Sequence, residues 1–148
     1  MKIIVAADHN GFYLKQQIIE YLKSLNHIVE DAGDRQYNRQ DDFPVFATQA
    51  IVKMLSATEK DARAILICGS GQGMMMAANR FKGVRAGLGY NIESARGIRN
   101  DEDSNVLALP AEILKSQNKW QPVIDTWLTT PFANAARYIR RNRELDEI

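Results

Sequence analysis

The feature that most constrains this chain is the join between the apolar run Ala64-Ile-Leu-Ile-Cys68 and the glycine-rich segment Gly69-Ser-Gly-Gln-Gly73, followed by Met74-Met-Met-Ala-Ala-Asn79. A run rich in β-branched residues, then small residues, then good helix formers reads as strand, tight turn and helix. The same alternation recurs along the chain. Lys2–Ala7 reads as a strand, Leu14, Ile18, Ile19, Leu22 and Leu25 fall at helical spacing, and His27–Asp31 reads as a second strand, so the chain opens as a βαβ unit. Gly33–Asp42 is polar and reads as a loop, and Pro44 suits the start of a helix carrying Phe46, Ala47, Ala50, Ile51 and Met54. After the Ala64–Cys68 strand the pattern predicts a helix over about 71–79, a strand over 85–89, a helix over 92–99, a strand over 106–109 and a helix over 122–128. Five strands alternating with helices imply an α/β fold: a doubly wound, three-layer parallel sheet with helices on both faces. The segment from Phe132 to Ile148 breaks the alternation and predicts an extra C-terminal helix, of the kind that packs on a neighbouring subunit.

Length and charge narrow the function classes. A chain of 148 residues, 45% hydrophobic and 25% charged, fits one domain over 1–148 with an ordinary core. Its formal net charge of +1 supplies no global reason to expect nucleic acid or an anionic membrane as partner. One cysteine excludes an internal disulfide and a cysteine-rich metal site, and the opening Met1–Asp8 turns acidic too early for a signal peptide, so a cytoplasmic location is expected. No run approaches the 18 or so apolar residues of a membrane span.

Cys68 is that single cysteine, and its place at the carboxyl end of a strand is where open α/β sheets bind ligands. Backbone N–H groups of the following turn favour an anion there, whether a thiolate or a substrate oxygen. Asp8 and His9 follow the first strand, which predicts that an acid and an imidazole converge on the same edge; such a pair also serves simply as turn and cap. Arg137 and Arg141, spaced i,i+4 on the last helix, share a face able to hold a phosphate or carboxylate; a solvated basic helix end has the same pattern. A flavin or dinucleotide module fits the topology less well, because the glycine turn follows the third strand instead of the first.

Ala7-Asp8-His9-Asn-Gly11, Asp42-Phe43-Pro44, Ile67-Cys68-Gly69-Ser70-Gly71-Gln72-Gly73, Ala77-Ala78-Asn79 and Arg137-Tyr-Ile-Arg-Arg141, taken in order, resemble the family of ribose-5-phosphate isomerase type B and galactose-6-phosphate isomerase over essentially the whole chain. The resemblance implies a flavodoxin-like sheet, a homodimer or homotetramer with sites at the subunit interface, no cofactor or metal, and interconversion of an aldose and a ketose phosphate. It implies Cys68 as the base moving a proton between C1 and C2 through a cis-enediolate, Ser70 assisting at the substrate oxygens, and the amides of Ser70, Gly71, Gln72 and Gly73, beside Gly69, holding the oxyanion. His9, Arg137 and Arg141 match phosphate-binding positions and Asp8 a sugar-binding one.

This chain departs from that pattern at several places, Tyr138 standing where a histidine is frequent. Asp101 and Glu102 stand where a histidine and an asparagine are usual, Glu112 replaces an arginine, and Phe43 replaces a tyrosine. Each is therefore a candidate specificity position. Acids at these places point to a sugar other than ribose 5-phosphate, or to a catalytically reduced member that binds a sugar phosphate as a structural subunit.

Overall fold

The structure, a computed structural model, describes residues 1–148 apart from the side chain of Gln117. Five parallel strands form one sheet: β1 (Lys2–Ala7), β2 (Ile28–Asp31), β3 (Arg63–Cys68), β4 (Ala86–Leu88) and β5 (Val106–Pro110), in the order β2-β1-β3-β5-β4. The helices are α1 (Phe12–Ser24), α2 (Phe43–Leu55), α3 (Gln72–Ala78), α4 (Ile92–Asn100), α5 (Ala111–Leu114), α6 (Trp120–Thr129) and α7 (Ala136–Glu147), with a 3₁₀ turn at Ser116–Asn118.

Alternation along the strands makes the two cores. Ile3, Val5, Ala7, Ile65, Ile67, Leu107 and Leu109 point to one face, where α1, α4 and α6 cover them with Leu14, Ile18, Leu22, Ala95, Val123, Ile124 and Trp127. Ile4, Ala6, Ala64, Leu66, Cys68 and Val106 point to the other, under Ala47, Ala50, Ile51 and Met54 of α2 and Met74 and Ala78 of α3. Because helices shield both faces, β1, β3 and β5 carry continuous apolar runs, as central parallel strands must. The edge strands β2 and β4 are short and partly exposed.

Several boundaries move. The last two strands are exchanged relative to the 2-1-3-4-5 order of flavodoxin-like sheets, so β5 lies between β3 and β4. β4 shrinks to three residues; α2 begins one residue before Pro44, α6 extends over Trp120–Thr129, and α7 starts only at Ala136. Leu25 is exposed, because α1 ends at Ser24 and Asn26 turns the chain at φ 62° before β2. The short α5 had no signal of its own, since Pro110 ends β5 and the helix is one turn long. No helix among the described residues is long and apolar enough to cross a membrane.

Candidate active site

β1 and β3 are neighbours with α1 and α3 on opposite faces, so the crevice of the sheet opens at their carboxyl ends. There Ala7 pairs with Ile67, the Asp8 amide donates to the Ile67 carbonyl at 3.2 Å, and Cys68 follows directly. The crossing is tight: a Cβ on Gly11 would lie 2.6 Å from Ile67 Cγ2, so only glycine lets the β1–α1 turn pass over β3.

Cys68 is 5% exposed, and its Sγ accepts the Gly71 amide at 3.1 Å. Gly71 holds φ 74°, which bends the chain so that its N–H turns back onto the sulfur. The Ser70 hydroxyl accepts the Gln72 amide at 3.4 Å. Of the four amides of this turn, those of Gly71 and Gln72 thus serve the turn itself, while those of Ser70 and Gly73 have no partner among the described residues. The Phe43 ring packs over Gly73, where a Cβ would lie 3.0 Å from it.

Asp8 is buried and its Oδ1 accepts the amides of Asn10 and Gly11 at 2.9 and 3.2 Å, so it shapes the turn after β1. Burial raises its pKa above the ordinary 3.8, against the lowering influence of those amides and of His9. His9 Nδ1 is 2.6 Å from Asp41 Oδ1. Asp41 comes from the loop between β2 and α2, which Tyr37 anchors by an edge contact to His9 at 6.5 Å and by contacts to Phe12 and Tyr13. Lys15 pins the start of that loop: it is 1% exposed and donates to both Asp31 oxygens and to the Asp34 carbonyl. Asp8, His9 and Asp41 offer polar atoms all within 4.8 Å of one another. The His9–Asp41 contact makes this a hydrogen-bonded group.

Glu112 reaches the site because β5 pairs with β3: Cys68 faces Pro110 in register, the Glu112 amide donates to the Gly69 carbonyl at 3.1 Å, and Glu112 Oε1 is 2.9 Å from where a Gly69 Cβ would stand. The other candidates lie elsewhere within the chain. Asp101 caps the carboxyl end of α4, and the Glu102 carbonyl accepts Arg85 Nε at 2.9 Å, both at the amino-terminal edge of the sheet. α7 is held at that edge too, by Arg85 on Asp146 at 2.9 Å and by Asn142 on the Asp101 carbonyl, and it carries Arg137 and Arg141 exposed. Arg137 stacks on Tyr138 at 4.7 Å. One chain therefore unites Cys68, Ser70, Asp8, His9, Phe43 and Glu112, and leaves Asp101, Glu102, Arg137 and Arg141 at the opposite edge.

Asp41 and Lys15 escaped the sequence reading. Asp41 precedes Asp42, the residue before the first turn of α2, in a polar loop and meets His9 across 32 residues; an acid in a loop carries no such mark. Lys15 falls among the polar residues of α1, and only its burial sets it apart.

Known proteins share the sequence pattern and the fold. The sequence profile described as Ribose/Galactose Isomerase matches residues 3–145. The probable ribose-5-phosphate isomerase B of Mycoplasma genitalium is 35% identical over 146 residues, covering 99% of this chain and 92% of that protein. The crystal structure of a ribose 5-phosphate isomerase from Thermotoga maritima superposes with a TM-score of 0.91 at 36% identity, over 99% of this chain and 98% of that one. The ribose-5-phosphate isomerase B of Mycoplasma genitalium with bound ribulose-5-phosphate gives 0.92 at 34%, over 99% and 94%. With its profile matched almost end to end and its sheet superposed on two solved members, this chain belongs to the ribose/galactose isomerase family.

Proposed function

We propose that, within the aldose–ketose isomerisation of its family, this chain uses Cys68 as the base that carries a proton between C1 and C2 of an open-chain sugar phosphate. The observation that carries the reading is the Gly71 amide on Cys68 Sγ at 3.1 Å beside the unpartnered amides of Ser70 and Gly73. A thiolate removes the C2 proton, and the electron pair moves through C1–C2 onto the carbonyl oxygen. The resulting cis-enediolate is held by the Ser70 and Gly73 amides, with the Ser70 hydroxyl assisting; one such donor contributes roughly 10²–10³ in rate. The thiol then returns the proton to C1 while the hydroxyl proton passes from O2 to O1. No redox partner is required.

Arg137 and Arg141 match phosphate-holding positions but sit on α7 at the far edge of their own sheet. Two copies resolve this if α7 of one reaches the Cys68 edge of the other, so the functional unit proposed is a homodimer or a dimer of dimers with shared sites. The same geometry would bring Asp101 and Glu102 to the partner's site. We read residues 1–148 as a single isomerase domain acting in the cytoplasm. The relative with bound ribulose-5-phosphate supports a pentose phosphate as substrate, whereas Glu112 against Gly69 favours a sugar with less charge at that end.

Turnover of ribose 5-phosphate, allose 6-phosphate, galactose 6-phosphate, erythrose 4-phosphate and the free sugars by the purified protein tests this, with Cys68→Ala as control. Turnover lost in Cys68→Ala is expected. Retained turnover in that variant removes Cys68 from the mechanism, and calorimetric sugar-phosphate binding without any turnover supports the reduced-subunit reading.

A further inference from the structure

The turn after β1 and the loop between β2 and α2 meet side chain to side chain at His9 and Asp41, Nδ1 on Oδ1 at 2.6 Å. An ionised carboxylate only accepts, so Nδ1 carries the hydrogen. Nε2, on the far side of the ring, has no partner among the described residues and is the nitrogen left for a ligand. The ring keeps 24% of its side-chain surface exposed, whereas the Asp41 side chain keeps 4%. The imidazole is thus the open half of the pair and the carboxylate the closed half.

A carboxylate is an unfavourable group to close off there. Asp41 Oδ2 is buried without a hydrogen-bond partner among the described residues, and a half-satisfied buried carboxylate costs stability. The loop nevertheless holds it in place. Lys15 donates to the Asp34 carbonyl at 2.6 Å near the loop's start, and the Val45 amide donates to the Asp42 carbonyl where α2 begins. Between them Tyr37 packs on Phe12 and Tyr13 of α1 and stands edge-on to the His9 ring. Asp8, the other acid beside the ring, is engaged by the amides of Asn10 and Gly11. Asp41 is therefore the side chain that fixes the orientation of His9.

We propose that Asp41 is a positioning residue for substrate binding: it holds the His9 ring so that Nε2 faces the phosphate of a sugar phosphate, and it balances the charge of the ring when that nitrogen carries a proton and donates. The inference rests on the isomerase reading above and on the match of His9 to a phosphate-binding position. Asp41 acts through the imidazole, which lies between it and the phosphate, and takes no part in the proton transfers at carbon or oxygen. A residue of the β2–α2 loop, 32 positions along the chain from His9, thereby governs how firmly the phosphate end is held. The stability lost by burying Asp41 Oδ2 without a partner is retained because orientation of His9 depends on the same carboxylate.

The test compares the full-length protein with Asp41→Asn, Asp41→Ala, His9→Ala and His9→Ala/Asp41→Ala by steady-state kinetics on a sugar phosphate, calorimetric binding of inorganic phosphate, and thermal melts. Asp41→Ala, which loses both the acceptor and the charge, is expected to raise KM and the phosphate Kd about tenfold, as for the loss of a hydrogen bond to a charged group, with kcat changed less than about threefold. Asp41→Asn keeps the acceptor and loses the charge, so a rise of about threefold is expected. Neither variant should melt lower than the unmodified protein, because each removes a half-satisfied buried carboxylate. In the His9→Ala background Asp41→Ala should add nothing to the phosphate Kd, since Asp41 acts through the ring. A fall in kcat at unchanged KM, a lower melting temperature with phosphate binding unchanged, or a further weakening in the double variant overturns the inference. So does a failure of the unmodified protein to bind either inorganic phosphate or a sugar phosphate. Tight binding of zinc or manganese alone, abolished by Asp41→Asn, overturns it in favour of a metal centre. Absence of turnover on every sugar sinks the isomerase reading instead, and the phosphate titrations then still decide whether Asp41 acts through His9.

Discussion

The amide of Gly71 donates to the sulfur of Cys68 three residues earlier, at 3.1 Å, and it does so only because Gly71 adopts φ 74°. The left-handed conformation turns the N–H inward, and the space around Gly71 is closed: a Cβ would lie 2.5 Å from Leu88 Cδ1 and 3.1 Å from the Leu109 carbonyl carbon. The turn that aims an amide at the Cys68 sulfur and the packing of β4 and β5 are thus one constraint.

Gly71→Ala is accordingly expected to lose stability by about 1–3 kcal/mol, from the positive φ and the crowding together. Urea unfolding measures the first effect and kcat the second, since a displaced turn no longer aims its amide at Cys68. Unchanged stability would mean the turn can relax away from Leu88.

Glu112 predicts a specificity change. Its carboxylate stands against Gly69 at an exposed position, so its effect on an anionic substrate is screened to about 1 kcal/mol at 4 Å, or roughly fivefold in binding. Glu112→Gln should lower KM for a sugar phosphate by about that factor while leaving KM for the unphosphorylated sugar alone, and Glu112→Arg should lower it further. Steady-state kinetics with the two substrates side by side provides the check.

Two groups predict a loss of stability with rising pH, one in the acid range and one in the alkaline. Burial raises the pKa of Asp8 above 3.8, so the native state binds more protons than the unfolded chain, and the stability associated with Asp8 falls as pH rises through that window. Asp8→Asn, which still accepts the Asn10 and Gly11 amides, should therefore melt higher than the unmodified protein at pH 7, with the advantage vanishing below about pH 4. Tyr21 of α1 donates to Asp125 of α6 at 2.7 Å, and that hydrogen bond pushes its pKa up to about 12. Its contribution is whole below pH 10 and is lost as pH rises towards 12, an alkaline decline that Tyr21→Phe should lack. Thermal melts across pH for the three proteins separate the two.

Shared sites predict complementation. Cys68→Ala and an Arg137→Ala/Arg141→Ala protein, each inactive alone, should regain about a quarter of full activity when mixed and allowed to exchange subunits, since half the dimers are hybrid and each hybrid has one complete site. No recovery after demonstrated subunit exchange would place the arginines and the cysteine in one chain or outside the site.

Much of this was legible in the chain. The apolar runs at Lys2–Ala7, Ala64–Cys68 and Val106–Leu109 identify the central strands because residues buried on both faces must all be apolar, and Cys68 next to Gly69-Ser-Gly-Gln-Gly73 marks the candidate site because strand end, turn and helix start are encoded locally. The tertiary structure alone decided which distant residues meet there. β5 entered between β3 and β4, which set Pro110 opposite Cys68 and brought Glu112 onto Gly69. The polar loop folded back over β1, which joined Asp41 to His9. α7 docked at the far edge through Arg85 and Asp146, which removed Arg137 and Arg141 from the site of their own chain. Periodicity records which face of an element is buried; which elements become neighbours follows from the shapes that pack, and no local pattern states it.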